Sequence, residues 1–301
     1  MKKLTRTALL LLCLLSLQAS VYGQDDLMDL LDDGEETTNF VSATFKGTRI
    51  INGHSTETRG KGNMDVIFMH RFGKINSGAY NLWGLDEAWI RLGVEYSVSD
   101  DFTIGIGRSS FEKTYDGFLK YKFLKQQTGA NPFPFTTTAF VSMAINTLKS
   151  NVPDIEIKFS SRVSYTYQLL MARKFNDKLS IQLSPTLVHH NLVNTPEENN
   201  DIFALGFSGR HKISKRMAIL LEYYYQFNNN TQETNYNPLG IGLEIETGGH
   251  VFQLVFANSQ AMIEKQFITE TTGDFFNGDI HFGFNIVRSF QLGKKNKPKE
   301  W

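Results

Sequence analysis

Taken two residues at a time, the stretch YDGFLKYKFL (115–124) sorts its side chains into two sets. Tyr115, Gly117, Leu119, Tyr121 and Phe123 fall on one face of an extended strand; Asp116, Phe118, Lys120 and Lys122 fall on the other. Successive side chains of a strand point to opposite sides, so the charges share no surface with most of the rings. The alternation recurs along the chain. In 88–98, Ile90, Leu92, Val94 and Tyr96 oppose Arg91, Gly93, Glu95 and Ser97. In 161–171, Val163, Tyr165, Tyr167 and Leu169 oppose Arg162, Ser164, Thr166 and Gln168. Leu179, Ile181 and Leu183 oppose Ser180, Gln182 and Ser184; Ile219, Leu221, Tyr223 and Tyr225 oppose Glu222, Tyr224 and Gln226. Near the C-terminus Phe282, Phe284 and Ile286 oppose His281, Gly283 and Asn285.

A soluble β-sandwich alternates too. Two features favour a transmembrane barrel instead. The strands run roughly ten residues or more between turn signals, the length a tilted strand needs to cross a bilayer. The polar face is rich in Gly, Ser, Thr and charges of both signs, as a lumen would be, and Tyr96, Tyr165, Tyr223 and Phe227 near strand ends suit interfacial girdles.

Short connections fall at Ser99-Asp100-Asp101, Asn176-Asp177, Ser214-Lys215 and Thr247-Gly248-Gly249, with a longer one at 126–131. Longer polar stretches at 73–86, 108–113, 147–160, 189–200, 228–238 and 258–277 alternate with them. Five turns and six loops predict an all-β antiparallel barrel of twelve strands, beginning near Asp65 and ending near Gln291, with short periplasmic turns and longer outer loops. Residues 62–292 form that barrel. Residues 39–61 are left over: they add a hairpin, for fourteen strands, or fold into the lumen as a plug. Residues 24–38 read as an acidic periplasmic tail and 293–301 as a basic, solvated one.

Residues 1–23 read as a signal peptide: Lys2, Lys3 and Arg6 precede an apolar run from Ala8 to Leu17, with a cleavage site before Gln24. Its removal takes the only cysteine, Cys13, so disulfides and thiol chemistry are excluded from the mature chain. It also lowers the 31 basic side chains by three, to 28, against 31 acidic ones. That balance argues against nucleic acid as a partner, since phosphate binding rests on clustered positive charge. The expected address is the outer membrane. The expected partners are outer-membrane lipid, the barrel-assembly machinery and a small hydrophilic solute.

At TFKGTRIINGHSTET, MDVIFMHRFG, GLDEAWIRLGVEYSVSD and GIGRSSFEKTYDGFLKYKFL, residues 44–125 resemble a family of uncharacterised outer-membrane β-barrel proteins of Gram-negative bacteria, a domain of unknown function. Downstream only the strand pattern persists. The resemblance implies a barrel in the outer membrane and brings no catalytic or ligand residue with it.

Chemistry-bearing groups are few. Alternation turns Arg71 inward and leaves His70 outside beside Phe68 and Phe72, where an interfacial role outweighs a catalytic one. His189 and His190, adjacent on a strand, face opposite ways and make no preformed metal pair. The loop RSSFEKTYD (108–116) crowds Arg108, Ser109, Ser110, Glu112 and Lys113, which read most simply as satisfying a tight hairpin. No catalytic, cofactor or metal residue is assigned, and no cofactor is expected. The inward set is more informative: Asp65, Arg71, Arg91, Glu95, Asp116, Lys120, Lys122, Arg162, Arg210, Glu222, Glu244 and Glu246 are expected to line the lumen. Isolated buried charges are costly, so these either pair and close the barrel or stay wet and line a narrow pore. The reading is therefore a non-enzymatic outer-membrane barrel that passes or binds a small solute. The alternatives are an outer-membrane hydrolase with a loop-borne site and a soluble periplasmic β-sandwich.

Overall fold

The computed structural model describes residues 37–149, 158–193, 195–228 and 235–292. Residues 1–36, with the expected signal peptide and most of the expected acidic tail, and residues 293–301, the expected basic tail, lie outside the described residues. Twelve strands pair antiparallel, each with its sequence neighbour, and the last closes on the first. They are β1 (Asn63–Lys74), β2 (Ala88–Ser97), β3 (Phe102–Ser109), β4 (Tyr115–Leu124), β5 (Thr136–Ile145), β6 (Val163–Lys174), β7 (Leu179–His190), β8 (Asp201–Lys212), β9 (Met217–Gln226), β10 (Leu239–Thr247), β11 (His250–Ala257) and β12 (His281–Gln291). The fourteen-strand alternative is set aside, because residues 39–61 add no strand to the barrel.

Local chemistry fixes the turns. Asn176 Oδ1 accepts from the amides of Lys178 and Leu179 at 2.8 and 2.9 Å, bending the chain back from β6 into β7. Gly248-Gly249 joins β10 to β11 in two residues, with Thr247 opposite His250. At the seam Arg71 pairs with Gly283 and Asn63 with Gln291, and a bulge between His281 and Gly283 absorbs the last register step. Closure leaves no strand edge unpaired in the barrel wall, which is what a membrane demands of a sheet.

Burial alternates along the wall in step with the sequence. In β4, Tyr115, Leu119 and Tyr121 are exposed while Asp116, Phe118 and Lys120 are buried. The outward face is apolar on strand after strand, as Leu92, Ile106, Val141, Leu169, Phe207 and Ile241 show. Aromatic side chains ring its two ends: Phe102, Tyr121 and Phe123 near the short turns, Tyr115, Tyr165 and Tyr225 near the long loops. His70 lies in this outer surface, stacked on Phe284 at 5.0 Å between centroids.

Candidate functional site

The lumen is occupied from both ends. From the short-turn end, residues 44–56 enter as a tight hairpin-like turn with every residue from Gly47 to Thr56 buried. Arg49 bridges His54, Ile50 N–H donates to the Gly53 carbonyl at 2.9 Å, and Ser55 N–H to the Thr48 carbonyl at 2.9 Å. The tip rests on Glu222 of β9, whose carboxylate accepts from three successive amides, those of Ile51, Asn52 and Gly53, at 3.3, 3.0 and 3.0 Å. Successive amides turned to one point form an anion nest, here filled by a wall side chain. Gly53 is required by that closeness: a Cβ there would lie 2.6 Å from Tyr224 Oη and 3.1 Å from Glu222 Oε2.

Other strands grip the same turn. Arg71 (β1) donates to Asn52 Oδ1 at 2.7 Å and to Asn285 Oδ1 (β12) at 2.9 Å, and Asn285 returns a bond to the Ile51 carbonyl at 2.8 Å. Gln182 (β7) accepts from Thr56 N–H at 2.9 Å and donates to the His54 carbonyl at 2.8 Å. Lys120 (β4) donates to the carbonyls of Thr48 and Glu57, and Thr138 (β5) to that of Thr56. Phe45, Ile50 and Ile51 pack on Ala172, Leu220, Val255 and Ala257, apolar side chains among the inward-facing residues of the wall. This insert therefore makes both polar and apolar contacts with the wall.

From the long-loop end, the connection between β11 and β12 dips inward. Its residues 258–271 are almost all buried and include one short helix, α1 (Glu264–Thr269). Met262 packs with Ile67, Met69, Val251 and Val287, and Phe267 meets Tyr224 edge-on at 5.3 Å. The two inserts touch. Arg49 Nη1 lies 3.0 Å from Glu264 Oε1, His54 Nε2 lies 3.5 Å from the same oxygen, and Arg49 Nε is 3.7 Å from Glu95 of β2.

The predicted lumen charges can now be placed. Asp65, Arg71, Arg91, Glu95, Asp116, Lys120, Arg210, Glu222 and Glu244 are buried inside the wall, and Lys122 and Glu246 are half-buried there. Two sets pair wall to wall. Arg91 forks onto Asp116, with one bond of 3.0 Å and a second, shorter one. Arg210 reaches Glu244 at 2.8 Å and Glu246 at 2.7 Å. The rest find partners on the N-terminal segment: Asp65 with Arg59 at 2.8 Å, Glu95 with Arg49, Lys122 with Glu57 at 3.5 Å, and Glu246 also with Lys46 at 3.1 Å. Arg162 stands apart, in the 3-10 turn before β6, where it donates to the carbonyls of Asn146 and Leu148.

Sequence reasoning missed Arg49, His54, Glu264 and Lys265. One signal was there: AMIEKQFIT (261–269) is far more apolar than a solvated loop needs to be.

Above α1 lies a vestibule of about 560 Å³, bounded by Phe111, Glu112, Arg162, His190, Lys265 and Glu270 among others. Burial alone would lower the Lys265 pKa, yet Glu270 at 2.6 Å and Glu112 at 3.7 Å hold it above its ordinary value. Ser164 Oγ lies 3.3 Å from His190 Nδ1, and His190 Nε2 lies 3.1 Å from Thr269 Oγ1. Ser109 and Ser110 of the RSSFEKTYD loop accept from the amides of Phe111 and Ile90, and Glu112 accepts from Asn146 and Gln266. Among the described residues no group of three or more His, Cys, Asp or Glu side chains is placed to hold a metal.

A closed antiparallel barrel with an apolar exterior and a polar, filled interior defines a membrane-bound β-barrel. The chain matches the family of the membrane bound beta barrel domain (DUF5777) over residues 45–290, from the insert into β12, and belongs to it. Among curated proteins none matches the chain. Solved structures of similar shape include the NanC porin (8% identity, TM-score 0.47, covering 76% of this chain and 100% of that one). The KdgM porin follows at 11% identity and TM-score 0.44, covering 76% of this chain and 99% of its own. An outer membrane channel from Pseudomonas putida F1 has 14% identity and TM-score 0.45, covering 78% and 98%. Likenesses this distant say nothing of what the chain carries.

Proposed function

We propose that the protein is a non-enzymatic outer-membrane barrel, closed at rest, that passes a small hydrophilic solute once its N-terminal insert leaves the lumen. The observation that carries this reading is the filling of the lumen by residues 44–56, gripped by side chains of β1, β4, β5, β7, β9 and β12. Asp65, Glu95, Lys122 and Glu246, which would line a wet pore, pair with the N-terminal segment, and the other ion pairs of the lumen charges run wall to wall, as a closed barrel requires. Withdrawal of the insert would leave Asp65, Glu95, Lys120, Lys122 and Glu222 facing water and take Arg49 from Glu264, freeing the second insert to shift and a polar channel to form for ions or small solutes.

Single-channel recording in planar bilayers tests it. The refolded mature chain is expected to open only rarely, and a variant lacking residues 24–61 to give steady ohmic steps. Steady conductance from the full-length chain, or silence from the truncated one once heat-modifiable migration has shown it folded, would overturn the reading.

One observation favours a second reading, the hydrolase. Thr269 Oγ1 is bonded to the Lys265 carbonyl as well as to His190. If its proton goes to that carbonyl, Thr269 accepts from Nε2–H, leaving Nδ1 to take the proton of Ser164. A fluorophosphonate ester decides: labelling abolished by Ser164→Ala supports an acyl hydrolase in the vestibule, and no labelling rejects it.

A further inference from the structure

The helix α1 has two faces with different work. Toward the lumen, Glu264 holds Arg49 of the N-terminal insert at 3.0 Å, both side chains being at most 2% exposed. Toward the vestibule, Lys265, Thr269 and Glu270 line the outer cavity. The helix is held in place from that side: Lys265 pairs with Glu270 and with Glu112 of the β3–β4 loop, and Gln266 donates to Glu112 at 2.9 Å and to Thr114 at 3.1 Å. Adjacent residues in sequence thus tie the plug below and the outer loops above.

Arg49 is what makes this consequential. Its carboxylate partners are Glu264 and, more loosely, Glu95 at 3.7 Å. A cation stripped of its partner in a low-dielectric interior is heavily penalised, and the nearest relief is for the segment carrying it to move into water. The same holds in reverse for Glu264 when the insert is gone. The positions of the two inserts are therefore coupled, and coupling of this kind is reciprocal.

We propose that α1 is a latch: it keeps the N-terminal insert in the lumen through Glu264, and the barrel opens when α1 is lifted from the loop side. The proposal rests on the closed-barrel reading and adds a control point to it. Opening is commanded from the outer face, through the Lys265–Glu112–Glu270 cluster, and carried out at the opposite end, where the insert enters.

The test uses the full mature chain in planar bilayers, with Glu264→Gln and Lys265→Met beside the wild type and the variant lacking 24–61. The latch predicts that Glu264→Gln opens at least about tenfold more often than wild type, in steps as large as those of the truncated form. Lys265→Met, which loosens the helix and leaves Arg49 paired, is expected to open less often than Glu264→Gln but more often than wild type. If the truncated form conducts while both variants stay as closed as wild type, the latch is wrong and the closed-barrel reading stands. Silence from the truncated form means that reading fails as well. Should Glu264→Gln not fold, Lys265→Met decides alone: wild-type behaviour from it overturns the latch.

Discussion

The strand 115–124 and the insert 44–56 lie against one another inside the same barrel, yet they are specified in different ways. In the strand, direction follows from position: every second side chain meets lipid or lumen, and Lys120 points inward because Leu119 and Tyr121 point out. In the insert, direction follows from partners. Ile51, Asn52 and Gly53 offer their amides to one carboxylate, His54 sits 4.5 and 4.4 Å from the rings of Phe118 and Phe140, and Arg49 reaches a residue 215 positions away. A wall can be built from a period, whereas a plug needs a set of individual fits. The two should therefore fail differently when broken.

The largest effect is expected in the wall. Asp116→Ala strands Arg91, which is 1% exposed, and should lower barrel stability by about 3–5 kcal/mol. Heat-modifiable migration across a urea series would read it, and an unchanged midpoint would show that the pair contributes nothing. Glu222→Gln keeps the wall's shape but removes the charge that three amides surround. It should weaken docking of the insert by about 2–3 kcal/mol while the urea midpoint of the wall moves less. Trypsin cleavage at Arg49 in the folded protein measures this: faster cleavage than wild type is expected, and equal cleavage would dissociate Glu222 from the insert.

A subtler break is Gly53→Ala. The added methyl meets Tyr224 Oη at 2.6 Å, so either the tip lifts or the ring moves, at about 1–3 kcal/mol. The same proteolysis assay should place it below Glu222→Gln.

The smallest effect lies outside the lumen. Asp279 in the last loop accepts from Asn76 Nδ2 at 2.8 Å and from Lys74 Nζ at 3.1 Å; first the Asn76 bond and then Lys74 hold its carboxyl below the usual aspartate range. A carboxylate with a depressed folded pKa stabilises above its unfolded value and loses that contribution as pH falls through the folded one. The tie between the first and last loops should therefore be constant at neutral pH and fade only in acid. Amide exchange of residues 274–280 followed downward in pH checks it, and fading already at neutral pH would contradict it.

The contrast between wall and insert also explains what the sequence made legible. Strand number, antiparallel closure and the outward aromatics were readable because each depends on local alternation and turn chemistry. Arg162 shows where that ends, since it lies one residue before β6 begins and its donors go to loop carbonyls. Residues 39–61 left two options open because a segment whose neighbours come from β1, β4, β7, β9 and β12 carries no period of its own. The inward dip of 258–271 was hidden for the same reason, although its apolar run hinted at burial. The Arg49–Glu264 contact joins the two least periodic parts of the chain and could not be seen before they were folded.

Labelling shows whether the N-terminal insert fills the lumen. Thr56 is fully buried and its hydroxyl makes no bond within the protein, so Thr56→Cys is a mild change in a protein produced from residue 24 onward, which leaves out Cys13, the one cysteine of the sequence. Tyr80→Cys, at a position 95% exposed, gives the reference rate. With a membrane-impermeant maleimide on the barrel in lipid vesicles, rapid labelling of the Tyr80→Cys variant is expected. The Thr56→Cys variant should be protected from both sides until the barrel is unfolded. Labelling of position 56 at a rate like that of position 80 would mean an open lumen and would contradict a filled one.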